Sequence, residues 1–276
     1  MDKAIIFSVY DFVSFHMGRT LLNKGIEVIG VHIEENNETS FYEEKRMEVG
    51  RNANFREISL TELEAFREDG KTKTTFILSL YDLYMVNKET VLQKQTMTRL
   101  QQSIENNKNL TDIIFLLPIQ ILKSEEAQTL RTVIDQVSVW GKNNYFYYLP
   151  AIYGPWQPST FTFQQALIAK MDDSDIRADK REWMGDILFV DDAVEAILGS
   201  NETSDANANT HFLIESGKEN YWVQCASQLQ LDIVITEGIY SEQLEIEEKI
   251  NRVRVKSVTP FSESIKKQLE IVKRSS

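Results

Sequence analysis

Short apolar runs alternate along the chain with longer segments in which apolar residues recur at helical spacing. The runs lie at Ala4–Val9, Glu27–Ile33, Thr75–Leu80, Asp112–Leu117 and Tyr145–Leu149. The longer amphipathic segments lie at Phe12–Lys24, Lys88–Asn107 and Lys123–Trp140. Near-continuous apolar strands that alternate with amphipathic helices indicate a parallel sheet covered on both faces. Because crossovers between parallel strands are right-handed, we predict an α/β fold with a doubly wound parallel sheet.

The spacing of prolines and the length of the predicted elements change after residue 150. Four of the five prolines lie between Pro118 and Pro158, and the elements beyond them are shorter. We predict helices at Phe161–Met171, Asp191–Leu198, Asn220–Leu229 and Pro260–Lys273, strands at Ile187–Val190 and His211–Ile214, and a polar loop at Gly199–Asn209. The change indicates two parts, a doubly wound domain over residues 1–150 and a smaller α/β portion over residues 151–276.

The net charge of the chain argues against some classes of binding partner. The chain has 30 basic and 42 acidic residues, a net charge of −12. A protein that follows a phosphate backbone needs a basic face, so neither nucleic acid nor an anionic membrane is expected as a partner. No apolar run approaches the ~18 residues of a membrane span. One cysteine, Cys225, suits a reducing compartment, and we expect a cytoplasmic protein. Three scattered histidines and one cysteine predict no metal site.

Five segments carry motif-like features in a fixed order. They are the strand–helix–strand opening at Lys3–Glu35, the YGP turn in Tyr148–Pro158, the VDD helix start in Phe189–Leu198, the SGK segment in Phe212–Lys218 and the TP-containing helix in Val258–Gln268. Together they resemble the extended short-chain dehydrogenase/reductase family, which includes NAD-dependent nucleotide-sugar epimerases and dehydratases. The resemblance covers nearly the whole chain. It implies a Rossmann-type dinucleotide-binding domain followed by a smaller substrate-binding portion.

The resemblance also implies a dinucleotide site at the start of the first helix. There, family members carry a GxxGxxG motif whose glycines let the backbone approach a pyrophosphate. In this chain the aligned positions are Ser8, Asp11 and Ser14. Asp11 brings a carboxylate to the positive end of the helix, so we predict that it caps the helix in place of a ligand. We therefore expect no cofactor, unless a remodelled loop still binds NAD or NADP.

Three further cofactor positions depart from the family pattern. The acidic residue that would bind the adenosine ribose aligns with His32, and the aspartate expected after the third strand aligns with Ser59. The small-residue turn after the fourth strand becomes the segment SLYD, and we predict that its Tyr81 obstructs the nicotinamide-ribose region. Together these departures predict that dinucleotide binding in the family's manner is lost.

The family's catalytic pair is also incomplete. The resemblance implies a tyrosine acid/base with a lysine four residues later, which lowers the tyrosine pKa. Lys123 stands where the lysine is expected, but the position four residues earlier is Ile119, which cannot transfer a proton. Lys123 is therefore the one retained catalytic candidate, with a solvated lysine at a helix start as the simpler interpretation.

The substrate side keeps part of the pattern. Tyr153 of the YGP turn is present, Trp156 follows it, and Arg177 and Arg181 lie close enough in sequence to bind an anion. One hypothesis is a residual nucleotide or sugar-phosphate site formed by these four residues. The simpler interpretation is that the arginines are surface charges that balance neighbouring aspartates.

Three functional hypotheses follow. The first is a catalytically degenerate homologue, a pseudoenzyme that binds a nucleotide-like metabolite or a protein partner. The second is an active but atypical NAD(P)-dependent nucleotide-sugar epimerase, dehydratase or reductase, in which Asp82, Tyr81 or Tyr153 moves the proton. The third is a structural subunit that pairs with an active homologue. Segments 88–107 and 123–140 correspond to helices that form a dimer interface in many family members, which predicts a homodimer.

Overall fold

The computed structural model describes residues 1–33, 41–67, 72–123, 128–140, 142–172, 174–177, 181–203, 209–231 and 249–275. Its strands are β1 (Lys3–Phe7), β2 (Glu27–His32), β3 (Phe55–Ser59), β4 (Thr74–Ser79), β5 (Leu110–Pro118), β6 (Asn143–Leu149), β7 (Ala151–Tyr153), β8 (Ile187–Phe189), β9 (Thr210–Glu215) and β10 (Asn251–Arg254). Its helices are α1 (Phe12–Asn23), α2 (Tyr42–Val49), α3 (Leu60–Ala65), α4 (Leu80–Met85), α5 (Lys94–Asn106), α6 (Gln128–Val137), α7 (Thr162–Asp172), α8 (Val190–Thr203), α9 (Tyr221–Gln228) and α10 (Phe261–Ser275).

The centre of the molecule is an eight-stranded parallel sheet in the order β10-β9-β6-β5-β4-β1-β2-β3. The chain first builds outward from β1 through β2 to β3, then crosses back to β4 on the other side of β1. This reversal confirms the predicted doubly wound α/β sheet. In such sheets ligands bind outside the carboxyl ends of the strands at the reversal, which here lies between β1 and β4.

Burial explains why the apolar runs become central strands. Every residue of β1 and of β4 is buried, and helices cover both faces of the sheet. Strands buried on both faces need near-continuous apolar sequence, which is the pattern found at these positions. Helix α1 packs on this sheet and ends at Asn23, followed by Gly25 with φ of +78°. Glycine adopts this left-handed conformation without steric cost, so the chain can leave the helix directly after the amphipathic segment Phe12–Lys24.

Several predicted boundaries are wrong. The segment Gly199–Asn209 is not wholly a loop, because α8 continues to Thr203. The hydroxyl of Ser200 donates to the carbonyl of Ile197 at 2.9 Å and contacts the Tyr147 hydroxyl at 3.3 Å, which fixes a polar turn in helical form against β6. The long helix predicted over residues 88–107 is divided into a 3₁₀ turn at residues 89–92 and α5.

The C-terminal portion is joined closely to the rest of the chain. Strands β9 and β10 belong to the large sheet, whereas β7 and β8 pair with each other in a separate two-stranded sheet. The boundary at residue 150 stays a prediction, and the large sheet extends across it. Helix α10 is fixed by the hydrogen bond between the hydroxyls of Tyr153 and Ser264 at 2.6 Å. The amide of Gln268 in the same helix donates to Gln157 and Gln164 at 2.7 and 2.8 Å.

The apolar stripe of α5 faces the protein's own core. Met97, Leu100 and Ile104 are buried there, and the exposed positions of the helix are polar. The homodimer through residues 88–107 and 123–140 stays a prediction. Among the described helices, none is long and apolar enough to cross a bilayer.

At one edge of the described sheet, β10 carries basic side chains at alternate positions. The guanidinium groups of Arg252 and Arg254 bind the carboxylate of Glu215 on β9 at 3.2 and 2.9 Å. The intervening Val253 packs against the core.

Candidate ligand site at the start of helix α1

The turn between β1 and α1 contains a left-handed backbone conformation of the kind that glycine favours, although it has no glycine. Ser8 has φ of +54°, in the left-handed region. That conformation costs an L-residue about 1–2 kcal/mol. The turn is closed by the Asp11 amide, which donates to the Ser8 carbonyl at 2.9 Å, and by the Ser8 hydroxyl, which donates to Asp11 Oδ2 at 2.5 Å. The Asp11 carboxylate is therefore directed back into the turn.

The carboxylate that caps α1 belongs to Asp82. Its Oδ1 accepts a hydrogen bond from the Val13 amide, and its Oδ2 accepts one from the Ser14 amide, both at 2.9 Å. The Ser14 hydroxyl donates to the same Oδ2 at 3.1 Å. Asp11 is the N-cap residue of α1, as predicted, but its side chain makes no capping hydrogen bond, and that part of the prediction is wrong. The Val13 and Ser14 amides, called here the α1 amide site, would face an anionic ligand in a Rossmann-type fold, and both bind the protein's own anion.

Local sequence places Asp82 at this point. Strand β4 ends at Ser79, whose hydroxyl accepts a hydrogen bond from the Asp82 amide at 3.1 Å and starts the short helix α4. This fixes Asp82 in the first turn of α4, beside the start of α1. The neighbouring Tyr81 is fully buried, and its hydroxyl accepts a hydrogen bond from the Ile152 amide at 3.0 Å. Tyr81 therefore connects α4 to β7.

A buried lysine accompanies the two carboxylates. Lys45 of α2 is only 2% exposed, and its Nζ donates to the Tyr10 carbonyl at 2.9 Å. Burial lowers the pKa of Lys45 to about 8, although Asp11 and Asp82 oppose the shift. Burial and the nearby Asp82 raise the pKa of Asp11 to about 7. Burial also raises the pKa of Asp82, against the hydrogen bonds from Val13 and Ser14. Lys45, Asp11 and Asp82 thus form a cluster in which a basic group and two acidic groups are buried together.

These groups border a cavity of about 150 Å³, called here the inner cavity. Its lining includes the polar residues Asp11, Lys45, Asp82 and Thr160 and the aromatic residues Phe12 and Phe161. Clefts for drug-sized ligands have volumes of roughly 300–1,000 Å³. The inner cavity therefore has room for a small ring or a group of waters, and not for a dinucleotide.

A second cleft, called here the outer cleft, lies at the carboxyl ends of β2 and β3. It has a volume of about 310 Å³, and its lining includes His32, Ser59, Thr61, Thr90, Gln93 and Arg99. His32 Nδ1 lies 3.4 Å from a carboxylate oxygen of Glu57. Ser59 caps α3, because its hydroxyl accepts from the Glu62 amide at 3.2 Å. The two residues that replace the family's cofactor acids thus border one polar cleft.

The predicted catalytic positions hold no acid/base pair. Ile119 is buried in the 3₁₀ turn at residues 119–122, directly after β5. Lys123 ends that turn, with its amide donating to the Gln120 carbonyl at 3.0 Å. No tyrosine occurs in the sequence between Tyr84 and Tyr145. Within the described ranges, no cluster of three or more metal-ligating side chains is present.

Two of the four predicted substrate residues are buried aromatics. Tyr153 is buried with its hydroxyl on Ser264, and burial raises its pKa above the ordinary value. Trp156 is buried between Phe15 and Phe41, with ring centroids 5.9 and 5.4 Å away in edge-to-face contacts. Both side chains pack inside the protein, which restricts their access to a ligand.

The two arginines contact different parts of the chain. The exposed Arg177 is held through its amide, which donates to the side chain of Gln165 at 2.7 Å. Arg181 donates to the Tyr84 carbonyl at 2.5 Å and to Asn87 Oδ1 at 2.8 Å, and it forms an ion pair with Glu89. Its guanidinium also lies 4.6 Å from the centre of the Tyr84 ring. Arg181 therefore joins the segment after α7 to the end of α4.

Comparison with known proteins places the fold. No protein-family model matches the chain, and no curated protein sequence matches it. A solved UDP-glucuronic acid 4-epimerase from Bacillus cereus, in complex with UDP-glucuronic acid and NAD, aligns over 99% of this chain and 100% of its own, with a TM-score of 0.72 and 12% identity. The chain has the fold of the NAD-dependent nucleotide-sugar epimerases.

Two other solved structures agree. Bordetella bronchiseptica WbmH, in complex with NAD⁺, aligns over 99% of both chains with a TM-score of 0.67 and 13% identity. TunA, an NAD-dependent NDP-hexosamine 5,6-dehydratase, aligns over 99% of this chain and 98% of its own, with a TM-score of 0.64 and 10% identity. At the level of fold, the resemblance found in the sequence is confirmed.

Proposed function

We propose that this protein is a catalytically degenerate relative of the nucleotide-sugar epimerases, which binds a nucleotide-like metabolite and carries out no NAD-dependent turnover. The observation that supports this most strongly is the hydrogen bonding of Asp82 to the α1 amide site. A dinucleotide pyrophosphate bound in the usual way needs those amides. It would have to displace the Asp82 carboxylate, and a buried charge left without partners costs several kcal/mol.

The surroundings of the α1 amide site add to this cost. Asp11 is a second buried carboxylate next to the same turn. A pyrophosphate would bring negative charge into a water-excluded region that already holds two acidic side chains, where like charges repel strongly. The nearby Lys45 carries one positive charge, which is too little to balance two carboxylates and a pyrophosphate.

The two tyrosines considered for proton transfer are poorly suited to it. Ile119 occupies the position of the family's tyrosine. Tyr81 and Tyr153 are buried, both make hydrogen bonds inside the protein, and burial raises the pKa of each. A general acid or base needs contact with the reacting group and a pKa near the working pH. This weighs against the atypical active enzyme.

A metabolite fits the surface better than a protein partner does. The outer cleft is polar and lies at the carboxyl ends of β2 and β3, where Rossmann-type folds bind the ribose end of a nucleotide. Among the described residues, the large apolar side chains that are exposed are Met47, Val139, Met171 and Ile176, which come from separate elements or loops. Protein interfaces need a larger contiguous patch. We therefore infer that a nucleoside or nucleoside monophosphate group binds the outer cleft.

Calorimetric titration tests this proposal. Adenosine, AMP, UMP, NAD, NADP and UDP-glucuronic acid are titrated into the wild-type protein, and turnover of the nucleotide sugar with NAD is followed by absorbance. We expect a nucleoside or nucleoside monophosphate to bind and NAD to bind more weakly than about 100 μM, or −5.5 kcal/mol. His32→Ala should weaken the nucleotide tenfold or more, whereas Arg252→Gln on β10 should have no effect. Tight NAD binding or turnover would refute the proposal, and failure of every nucleotide to bind would refute the metabolite.

A further inference from the structure

The inner cavity combines two features that binding sites need. It is bordered by α1, α2, α4 and the segment before α7, it opens to solvent beside Ser159 and Thr160, and it has buried charged groups in its wall. A water needs about 10–15 Å³ in a cavity of this measure. The volume of about 150 Å³ therefore holds a group of waters or one small ring.

Two of the charged groups have unused hydrogen-bonding capacity. Among the described residues, the Lys45 ammonium donates only to the Tyr10 carbonyl, although it has three N–H donors. Of the two oxygens of the Asp11 carboxylate, Oδ2 accepts a hydrogen bond from the Ser8 hydroxyl, which leaves acceptor capacity on the carboxylate with respect to the described residues. Asp82, in contrast, accepts three hydrogen bonds and needs no further partner. Buried charges are stable when their hydrogen bonds are made, so a ligand that pairs with Lys45 and Asp11 is favoured.

The charges in the wall also affect which ligands fit. The wall carries acidic groups, Asp11 and Asp82, beside the ammonium of Lys45, so a small ion of either sign meets repulsion as well as attraction there. An uncharged polar ligand avoids that repulsion. A hydroxyl group both accepts and donates, so two adjacent hydroxyls can accept from Lys45 and donate to Asp11.

Aromatic residues form the apolar part of the wall. The rings of Phe12 and Phe161 make an edge-to-face contact with centroids 5.9 Å apart. The hydroxyl groups of Ser159 and Thr160 border the same cavity. A saturated ring with hydroxyl groups matches this mixture, since its C–H face packs on the aromatic rings while its hydroxyls reach the polar groups.

We propose that the inner cavity binds a small uncharged ligand with vicinal hydroxyl groups, such as a free monosaccharide or a cyclitol, between Lys45 and Asp11. The inference rests on the proposed function in one respect, that no dinucleotide pyrophosphate occupies the start of α1. It concerns a different group of residues from the outer cleft, so a ligand here and a nucleotide there are separate binding events.

The test uses ligand-detected NMR and calorimetry on the full-length protein with D-ribose, 2-deoxy-D-ribose and myo-inositol. D-ribose or myo-inositol should bind with a Kd of about 1 mM or tighter. 2-Deoxy-D-ribose, which lacks the C2 hydroxyl and keeps only the vicinal pair on C3 and C4, should bind more weakly than D-ribose. Binding of D-ribose but not of myo-inositol would identify a sugar, and the reverse would identify a cyclitol.

Two variants connect binding to the cavity. Lys45→Met keeps the length of the side chain and removes the ammonium, and Asp11→Asn keeps the shape and removes the charge. Each should weaken the diol tenfold or more, and Arg252→Gln should leave it unchanged. Asp11→Asn serves as the decisive variant if Lys45→Met does not fold, as judged by circular dichroism. The proposal is wrong if no diol binds, or if binding is unchanged in the folded variants.

The same samples separate this proposal from the proposed function. NAD binding tighter than about 100 μM would overturn the proposed function whatever the diols do. Absence of diol binding together with absence of NAD binding would overturn only the inference about the inner cavity.

Discussion

The Asp82 carboxylate accepts hydrogen bonds from both the amide and the hydroxyl of Ser14, at 2.9 and 3.1 Å, although the two residues are 68 positions apart in sequence. This contact joins the first turns of α1 and α4 across the point where the order of the strands reverses. It fills the position at which Rossmann-type folds bind a cofactor phosphate, and it makes the start of α1 an internal contact.

Loss of this contact should be measurable as loss of stability. We expect Asp82→Ala to lower the free energy of unfolding by about 1–3 kcal/mol, because two buried amides and one hydroxyl lose their acceptor. Ser14→Ala removes only the hydroxyl bond and should cost about 0.5–1.5 kcal/mol. Urea denaturation of the two variants beside the wild type checks this order, and equal stability of all three would contradict it.

Restoring the glycines alone should not restore cofactor binding. A variant with Ser8→Gly, Asp11→Gly and Ser14→Gly keeps Asp82 on the Val13 and Ser14 amides, so we expect no gain in NAD affinity. Adding Asp82→Ser frees the amides, and NAD affinity should then rise at least tenfold over the triple variant. Calorimetric titration with NAD checks both steps. NAD binding by the triple variant would mean that the glycine loop, and not Asp82, is the obstacle.

The pH dependence of stability should reveal the buried Asp11. Its pKa is raised to about 7 from an ordinary value of 3.8, so the folded state binds more protons than the unfolded state between these values. Its contribution to stability is therefore full below about pH 4 and is lost as the pH rises through 7. Relative to Asp11→Asn, the wild type should lose up to about 1.4 kcal/mol per pH unit in this window.

Urea denaturation of both proteins at several pH values between 5 and 8 measures that difference. Asp82 and Lys45 are present in both proteins, and because both interact with Asp11, the difference measures the titration of Asp11 together with its effect on these two neighbours. The exposed Asp135→Asn on α6 is the matched control, and its profile should follow the wild type. Parallel profiles for Asp11→Asn and the wild type would show that Asp11 titrates normally in the folded state.

Arg181 should act as a structural connection between the segment after α7 and the end of α4. A double-mutant cycle with Arg181→Met and Glu89→Gln should give a coupling energy of about 1 kcal/mol, because the pair is partly buried and shares the end of α4. Arg181→Lys should recover only part of the stability, since lysine lacks the planar fork that reaches Tyr84 and Asn87 together. A coupling energy near zero would show that the ion pair between Arg181 and Glu89 contributes nothing to stability.

The fold was predictable because its signals are local. The apolar runs that form β1 and β4 consist of consecutive residues. The glycine after α1, Gly25, is likewise a local signal that does not depend on contacts with distant residues. The end of α8 was predicted incorrectly for the same reason. The segment from Gly199 has the composition of a loop, and its helical form depends on a contact with Tyr147, more than fifty positions earlier.

The candidate site was predictable in part. Ser8 and Asp11 lie in the turn between β1 and α1, and the sequence itself shows serine and aspartate where a glycine motif was expected. The hydrogen bonds of Asp82 to α1 were not predicted. The SLYD segment resembles a capping signal for its own helix, α4, whereas the Asp82 carboxylate accepts hydrogen bonds from the amides of a different helix. Lys45 lies in a highly charged segment in which no local feature distinguishes the buried lysine from exposed neighbours.

Strand β10 also bears on how molecules of this protein behave beside one another. An outer strand offers a row of backbone donors and acceptors with which a second chain can pair and extend the sheet. Arg252 and Arg254 put long charged side chains at alternate positions of this strand, each tied to Glu215. A second β10 brought alongside would bring like charges together. Among the described strands, β10 thus carries the charged side chains with which edge strands oppose pairing with another molecule.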